Sequence, residues 1–137
     1  MNRIYQITSV KARKIAAEAA SKKIFVAELY GKKIKTCDDY LDAISKEFRY
    51  PELFKKYRNY DAHMDWIRDL SWITYGSDYR GFALIVYDYK DMFGDDYKEK
   101  ERFLYSFSVL VLPWWEEDIK TCSAGSEPKE FNLYLVL

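Results

Sequence analysis

Apolar residues are concentrated in three short runs of the chain, and these runs predict the strands of a sheet. They cover residues 24–30, 82–87 and 131–137. The second run is apolar at consecutive positions, which is typical of a strand that is covered on both faces and paired in parallel. We therefore expect a parallel sheet, with the last run inside it.

Between the runs, apolar residues recur at helical spacing. Residues 9–22 are rich in alanine, and residues 36–48 begin with a capping box of Thr36 and Asp39. A third helix starts at Asp95 or Asp96, and Pro113 either closes it or opens a short following turn. The buried side of this third helix is expected to contain Phe103, Leu104, Phe107, Leu110 and Val111. After a turn at Gly31, residues 33–35 can return as a short hairpin arm.

Strands that alternate with helices favour right-handed crossovers. We predict an α/β fold in which a small parallel sheet of three strands, or slightly more, is layered with helices. A chain of 137 residues, about half of them hydrophobic, fits one domain over residues 1–137. Residues 1–23 are interpreted as an N-terminal helical extension of that domain.

The chain shows no secretory signal and no run of 18 uncharged apolar residues, so we expect a cytoplasmic protein that does not enter a membrane. Cys37 and Cys122 are far apart and lack metal-ligand spacing. We interpret them as reduced thiols, with a single disulfide as the alternative.

Residues 59–72 carry the strongest functional signal. Asn59 can cap a helix that starts at about Tyr60. At about 100° per residue, the side chains divide into an inward set and an outward set. The inward set contains Ala62, His63, Trp66, Ile67 and Leu70. The outward set contains Asp61, Met64, Asp65, Arg68, Asp69 and Trp72.

The outward carboxylates have like-charged neighbours at i,i+4, which costs a helix a few tenths of a kcal/mol per pair. The helix dipole near Asp61 and the cation of Arg68 offset part of this repulsion. A solvated charged face is the simplest explanation. Met64 and Trp72 favour a protein-binding surface instead, because large apolar groups on a charged face are typical of interface anchors.

This segment also resembles the barstar family of ribonuclease inhibitors. The matching elements are Tyr50-Pro51, the loop 52–58, Asn59-Tyr60, Asp61-Ala62 and Asp65, followed by Asp69-Leu70-Ser71-Trp72. The resemblance extends to residues 24–48, 82–87 and 131–137. Two features depart from the family pattern: the loop is longer than usual, and the Gly that commonly precedes the Asn is replaced by Lys55, Lys56, Tyr57 and Arg58.

In that family, the acidic helix enters the basic active site of a ribonuclease and imitates RNA phosphates. The resemblance implies Asp65 as the central anchor with Asp61 beside it. The residues implied around them are Met64, Arg68, Asp69 and Trp72, with Tyr57 contributed by the altered loop. The implied protein is a bacterial immunity protein, monomeric before binding, whose partner is a toxin nuclease of the ribonuclease class. The alternative is a non-inhibitory module of the same fold that binds another basic protein.

The zero net charge is unevenly distributed. Residues 1–35 contain nine Lys and Arg against two Asp and Glu, so they carry +7 and the rest of the chain carries −7. An acidic body suits a basic partner and disfavours phosphate backbones, although the N-terminal cluster would allow weak contact with nucleic acid. We expect no direct nucleic-acid binding.

An enzyme is the competing class, because paired carboxylates can perform acid–base chemistry or bind a metal. However, His63 is the only histidine and falls on the inward side of its helix, and no Gly-rich phosphate loop follows a strand. The acidic corner of Asp88, Asp91, Asp95 and Asp96 lacks the spacing of a calcium loop, although it could widen the acidic surface. We expect no catalytic residues, no metal site and no cofactor.

Overall fold

Four parallel strands form one sheet in the computed structural model, which describes residues 1–122 and 127–137. In the order of the chain they are β1 (Ile4–Ile7), β2 (Ile24–Tyr30), β3 (Gly81–Tyr87) and β4 (Glu130–Val136). Their order across the sheet is β1-β4-β3-β2, and all three neighbouring pairs are parallel. The predicted parallel α/β fold is confirmed, and β4 lies inside the sheet as expected.

Strand β1 differs from the sequence-based expectation, which had only helix before residue 24. Ile4 pairs with Leu133 of β4, so the N-terminal segment contributes to the sheet itself. Tyr5 and Gln6 are exposed, and a four-residue strand with two exposed positions does not produce an apolar run.

The helices lie between the strands. Five of them come before β3: α1 (Ser9–Glu18), α2 (Cys37–Glu47), α3 (Leu53–Lys56), α4 (Tyr60–Ile67) and α5 (Ser71–Thr74). Two more, α6 (Tyr97–Tyr105) and α7 (Ile119–Cys122), follow β3 and are joined by π-helical turns over Ser106–Val111 and Trp114–Asp118. We refer to residues 97–122 as the long helix. None of the described helices is long and apolar enough to cross a membrane.

Two predicted helix starts are confirmed in atomic detail. The Thr36 hydroxyl accepts a hydrogen bond from the Asp39 amide at 3.1 Å, and the Asp39 carboxylate accepts one from the Thr36 amide at 3.2 Å. Asp96 caps the long helix by accepting from the Glu99 amide at 3.2 Å. These caps satisfy amides that the first helical turn leaves unpaired.

The predicted hairpin arm after Gly31 does not form. Gly31–Lys33 make a single 3₁₀ turn, and Ile34 is fully buried, with its carbonyl accepting from the Phe93 amide at 2.8 Å. A Cβ on Gly31 would lie 2.1 Å from the Asp88 carbonyl oxygen, so only glycine permits this approach between the ends of β2 and β3.

Pro113 does not close the long helix, which continues to Cys122. The proline lies between the two π-helical stretches, where the regular backbone hydrogen-bond ladder is already interrupted. The wider turns also change which side chains face inward. Leu110, which the 3.6-residue period places in the core, is therefore on the surface.

The two faces of the sheet have different coverings. Phe25, Phe82 and Phe131 lie on one face, and the main core forms between this face and helices α2, α4 and the long helix. The other face packs Ile85 and Val136 against Ala12 of α1. The acidic helix α4 and the basic helix α1 are therefore on opposite sides of the sheet.

Candidate functional site

Helix α4 begins where the sequence predicts. Asn59 accepts a hydrogen bond from the Ala62 amide at 2.8 Å through its side-chain oxygen. The helix ends after only eight residues at Ile67, and Leu70 takes a left-handed conformation with φ of 52°. Asp69 lies just beyond the last turn of α4 and is exposed, as predicted. Trp72 belongs to α5 and does not continue the rotation of α4, so its predicted place on the outward face of α4 is wrong.

Removing the Asn59 cap should destabilise the protein measurably. We expect Asn59→Ala to lower the free energy of unfolding by about 1 kcal/mol, since it leaves an α4 amide without its acceptor. Asn59→Ser is the control, because a hydroxyl can accept the same bond and should recover most of the loss. Urea unfolding measures both variants, and equal losses would show that the cap does not stabilise α4.

The two predicted anchors are both on the surface. Asp61 is exposed in the first turn of α4, and the Asp65 side chain is 81% exposed. One oxygen of Asp65 lies 3.6 Å from Nη2 of Arg68, whose Nε donates to the Met64 carbonyl at 3.0 Å. Ion pairs this exposed contribute little free energy, so Asp65 can exchange Arg68 for a cation on a partner.

Met64 does not lie on the outward face of α4 as predicted, because its side chain is buried. Only 6% of its surface is exposed, because the long helix packs against that side of α4. The Tyr60 hydroxyl is 2.8 Å from the Ser106 hydroxyl, and the Trp115 indole donates to the Ile67 carbonyl at 3.0 Å. Since α4 is covered on two sides, its buried surface is wider than the single stripe that the sequence predicts.

Trp72 is half-buried and has a structural role. Its indole N–H donates to the Phe48 carbonyl at 2.8 Å, and its ring meets those of Trp66 and Tyr50 edge-on, at centroid distances of 5.4 and 5.8 Å. It therefore holds α5 against the end of α2 rather than surrounding the carboxylates as predicted.

His63 is fully buried, as predicted, and joins three parts of the fold. Nε2 lies 2.7 Å from the Tyr40 hydroxyl of α2, and Nδ1 lies 2.7 Å from the Tyr50 hydroxyl. Burial lowers the pKa of His63 to about 3, with a smaller contribution from the charge of Arg102. A neutral imidazole donates through one nitrogen and accepts through the other, so both tyrosines are satisfied. Its enclosure fits a positioning role for α4 rather than base catalysis.

A shallow groove lies beside Asp65. Its lining residues, which we call the acidic groove, are Leu53, Tyr57, Ala62, Asp65, Trp66 and Asp69. Leu53 and Tyr57 are 54% and 58% exposed. The structure thus brings Tyr57, Asp65 and Asp69 together as predicted site residues, whereas Asp61 lies outside the lining.

Three lining residues were missed by the sequence reasoning. Ala62 and Trp66 were assigned to the inward side; both are only partly buried against the core, and they border the groove opposite Leu53 and Tyr57. Leu53 offered one signal, since it is a large apolar residue within the charged loop 52–58. Asp69 also has a local function, because its carboxylate accepts from the Ser71 amide at 3.1 Å.

The basic residues of the altered loop point in different directions. Arg58 turns away toward α2, where its Nη2 lies 2.9 Å from an oxygen of Asp42 and 3.5 Å from one of Asp38. Lys55 pairs with Glu52 at 3.1 Å. Lys56 lies over the Tyr57 ring, with Nζ 5.4 Å from the ring centroid. The loop therefore leaves Asp65 and Asp69 as the charged groups that line the groove.

The acidic corner does not contribute to this lining. Asp88 has a left-handed backbone with φ of 49°, and Asp96 serves as a helix cap. Among residues 1–122 and 127–137, no group of three or more His, Cys, Asp or Glu side chains is arranged to hold a metal ion.

A comparison with family models matches residues 24–124 to Barstar, described as the barnase inhibitor. No curated protein and no solved structure matches the chain. The matched segment spans well over half of the chain and contains α4 and the whole acidic groove, while β1, α1 and β4 lie outside it. The chain therefore belongs to the barstar family.

Proposed function

We propose that this protein is an immunity protein that binds a toxin ribonuclease and occludes its active site with Asp65 and Asp61. Membership of the barstar family implies a ribonuclease-inhibitor-like role and a nuclease partner in general, and members of the family are inhibitors rather than enzymes. The observation that carries the finer proposal is the exposure of both carboxylates on a helix whose other sides are held in place.

The spacing of the two carboxylates suits a cleft that binds a polyanion. Residues four apart on a helix are about 6 Å apart along its axis and project on the same side. A ribonuclease cleft contains cations that hold successive phosphates of RNA, and a carboxylate forms short, charge-assisted hydrogen bonds to such groups. Asp61 and Asp65 would occupy two of these positions at once.

The acidic helix is also preorganised. The Asn59 cap fixes its start, His63 joins it to Tyr40 and Tyr50, and Trp115 holds its final turn. Little conformational entropy is then lost when the helix binds, so more of the interaction energy appears as affinity.

The acidic groove adds apolar contact around the charges. Leu53, Tyr57 and Trp66 provide apolar and aromatic surface beside Asp65. Apolar neighbours that exclude water strengthen a buried charge pair. A binding hot spot is usually surrounded by contacts of this kind. Because Tyr57 and Leu53 flank the carboxylate, we assign them to the interface in place of Met64 and Trp72.

The proposal is tested by co-purification. Tagged wild-type protein and an Asp61→Ala, Asp65→Ala double variant are each purified with the product of the neighbouring reading frame, and RNA degradation is then assayed. A Glu18→Ala, Asp78→Ala variant is the matched control, since it removes the same charge from exposed ion pairs with Lys22 and Lys23.

We expect the wild type and the control to capture and silence a nuclease, and the double variant to do neither. Equal capture by all three proteins would refute the role of Asp61 and Asp65. Capture of a basic protein without nuclease activity would favour the non-inhibitory binding module instead.

A further inference from the structure

We propose that the interface continues from α4 onto the long helix, through an apolar strip formed by Tyr105, Val109 and Leu110. The strip would contact an apolar patch of the nuclease surface outside its basic cleft. This inference rests on the proposed function, because it assigns a second contact to the same partner.

The long helix lies alongside α4 over the length of the strip. At the start of α4, Tyr60 touches Ser106, and just beyond its end the Arg68 guanidinium lies 5.8 Å from the centre of the Trp114 ring. Residues 106–114 therefore run beside α4 from its first turn to its last. The strip lies beside the half of α4 that carries Asp61.

The strip faces the same side of the molecule as the carboxylates. Both helices pack on the main-core face of the sheet, through residues such as Ile67 and Phe107. Side chains of either helix that point away from the sheet therefore share one outer surface. Tyr105 is 59% exposed, Val109 is 48% exposed and Leu110 is 36% exposed, so all three reach this outer surface.

The π-helical stretch Ser106–Val111 accounts for the exposure of Leu110. With more than four residues in a turn, Phe107 and Val111 keep the inward positions, and Leu110 turns outward to join Tyr105 and Val109. Tyr105 and Val109 are i,i+4 neighbours, so the apolar surface is contiguous and not a set of scattered residues. A π-helical turn interrupts regular hydrogen bonding and is frequently retained at functional sites.

The chemistry of the neighbouring surface selects the occupant. The strip is continuous with the face that carries Asp61 and Asp65, which we assign to the nuclease. A charged centre flanked by apolar side chains is typical of a specific protein interface. A nuclease that places its basic cleft over Asp65 must cover part of the adjoining helix, since stable interfaces bury about 800 Å² on each partner. On this adjoining helix, Tyr105 and Val109 would favour contact with an apolar surface of the nuclease.

The test introduces a charge into the strip. We expect Val109→Lys to weaken binding of the captured nuclease at least tenfold, mainly through faster dissociation, when measured by biolayer interferometry. Val10→Lys is the matched control, because Val10 is 68% exposed on α1, behind the sheet. It should change Kd less than twofold. Tyr105→Ser provides a second variant, and circular dichroism melting confirms that each protein is folded.

The salt dependence of binding distinguishes the contribution of the strip from that of the carboxylates. At about 0.5 M salt, the loss caused by Asp65→Ala should shrink because exposed charges are screened, whereas the loss from Tyr105→Ser should persist because apolar contact is not screened. Equal Kd values for Val109→Lys, Tyr105→Ser and Val10→Lys would refute the contact through the strip. They would not contradict the role proposed for Asp61 and Asp65. If Val109→Lys weakens binding and Asp65→Ala does not, the result would support the contact through the strip and refute occlusion of the active site by Asp65.

Two further outcomes would also overturn the inference. Light scattering that shows a wild-type dimer dispersed by Val109→Lys, with nuclease affinity unchanged, would make the strip a contact between copies of this chain. A wild-type protein that captures no nuclease would contradict the proposed function and the strip together.

Discussion

Replacing Asp65 with Ala is expected to weaken nuclease binding by more than about 2 kcal/mol, which is a loss of at least about 30-fold in Kd. Asp65 lies in the acidic groove, flanked by Tyr57 and Trp66, and its only ion-pair partner in the described part of the chain is Arg68. In a complex, the partner's cation would lose its water and depend on this carboxylate. Removing the carboxylate leaves that cation buried without a counter-charge, so most of the loss should appear as faster dissociation.

The matched control for this effect is Glu18→Ala, which removes one negative charge from α1 on the opposite face of the sheet. It should change the binding free energy by less than about 0.5 kcal/mol, within the usual range for a surface residue outside an interface. Asp65→Asn separates charge from shape, since it keeps the size of the side chain. Surface plasmon resonance measures all three variants. A loss below about 0.5 kcal/mol for Asp65→Ala would place the interface elsewhere.

Acid should destabilise this protein steeply between pH 6.5 and pH 3, because of His63. The imidazole has an ordinary pKa of 6.5 and a folded-state pKa of about 3. Below pH 6.5 the unfolded chain binds a proton that the folded chain cannot accept. The contribution of neutral His63 is therefore complete above pH 6.5 and is lost as the pH falls toward 3. The slope approaches about 1.4 kcal/mol per pH unit, and the total is on the order of 5 kcal/mol.

A comparison with His63→Gln isolates this effect. The pKa of Asp39 is lowered by backbone hydrogen bonds from Lys35 and Thr36, and that of Asp78 by Lys23, so these carboxylates also favour unfolding in acid. Both are present in the two proteins, and only His63 differs. Urea unfolding at pH 7, 6, 5 and 4 should show the gap between the wild type and His63→Gln narrowing toward low pH. Parallel stability curves would mean that His63 is not held neutral in the folded protein.

Features that depend on local chemistry could be predicted from the sequence. Strand β2 and the caps at Thr36, Asn59 and Asp96 follow from residue type and short-range spacing, and they are confirmed. The core position of His63 follows from helical periodicity. The carboxylates Asp61 and Asp65 were placed on the surface for the same reason, because one turn of a regular helix fixes their direction.

Features that depend on distant neighbours could not be predicted in this way. Met64 is buried because the long helix covers a second side of α4, and no pattern within residues 59–72 contains that helix. Leu70 adopts a left-handed conformation that residues other than Gly, Asn and Asp rarely take, so no typical helix-ending residue marks the end of α4 in the sequence. Leu110 is exposed because the π-helical stretch Ser106–Val111 departs from the regular period of 3.6 residues per turn.

The position of β4 determines when the sheet can be completed during synthesis. β4 lies between β1 and β3, and it joins Ile4 to Leu133 across nearly the whole chain. Strand β1 therefore has no neighbour to pair with until residues 130–136 have left the ribosome. Contacts between such distant residues also slow folding, because the loop between them must be ordered before any of its pairing energy is gained. A chain that stops before residue 130 would therefore leave β1 without a partner and one edge of β3 unpaired.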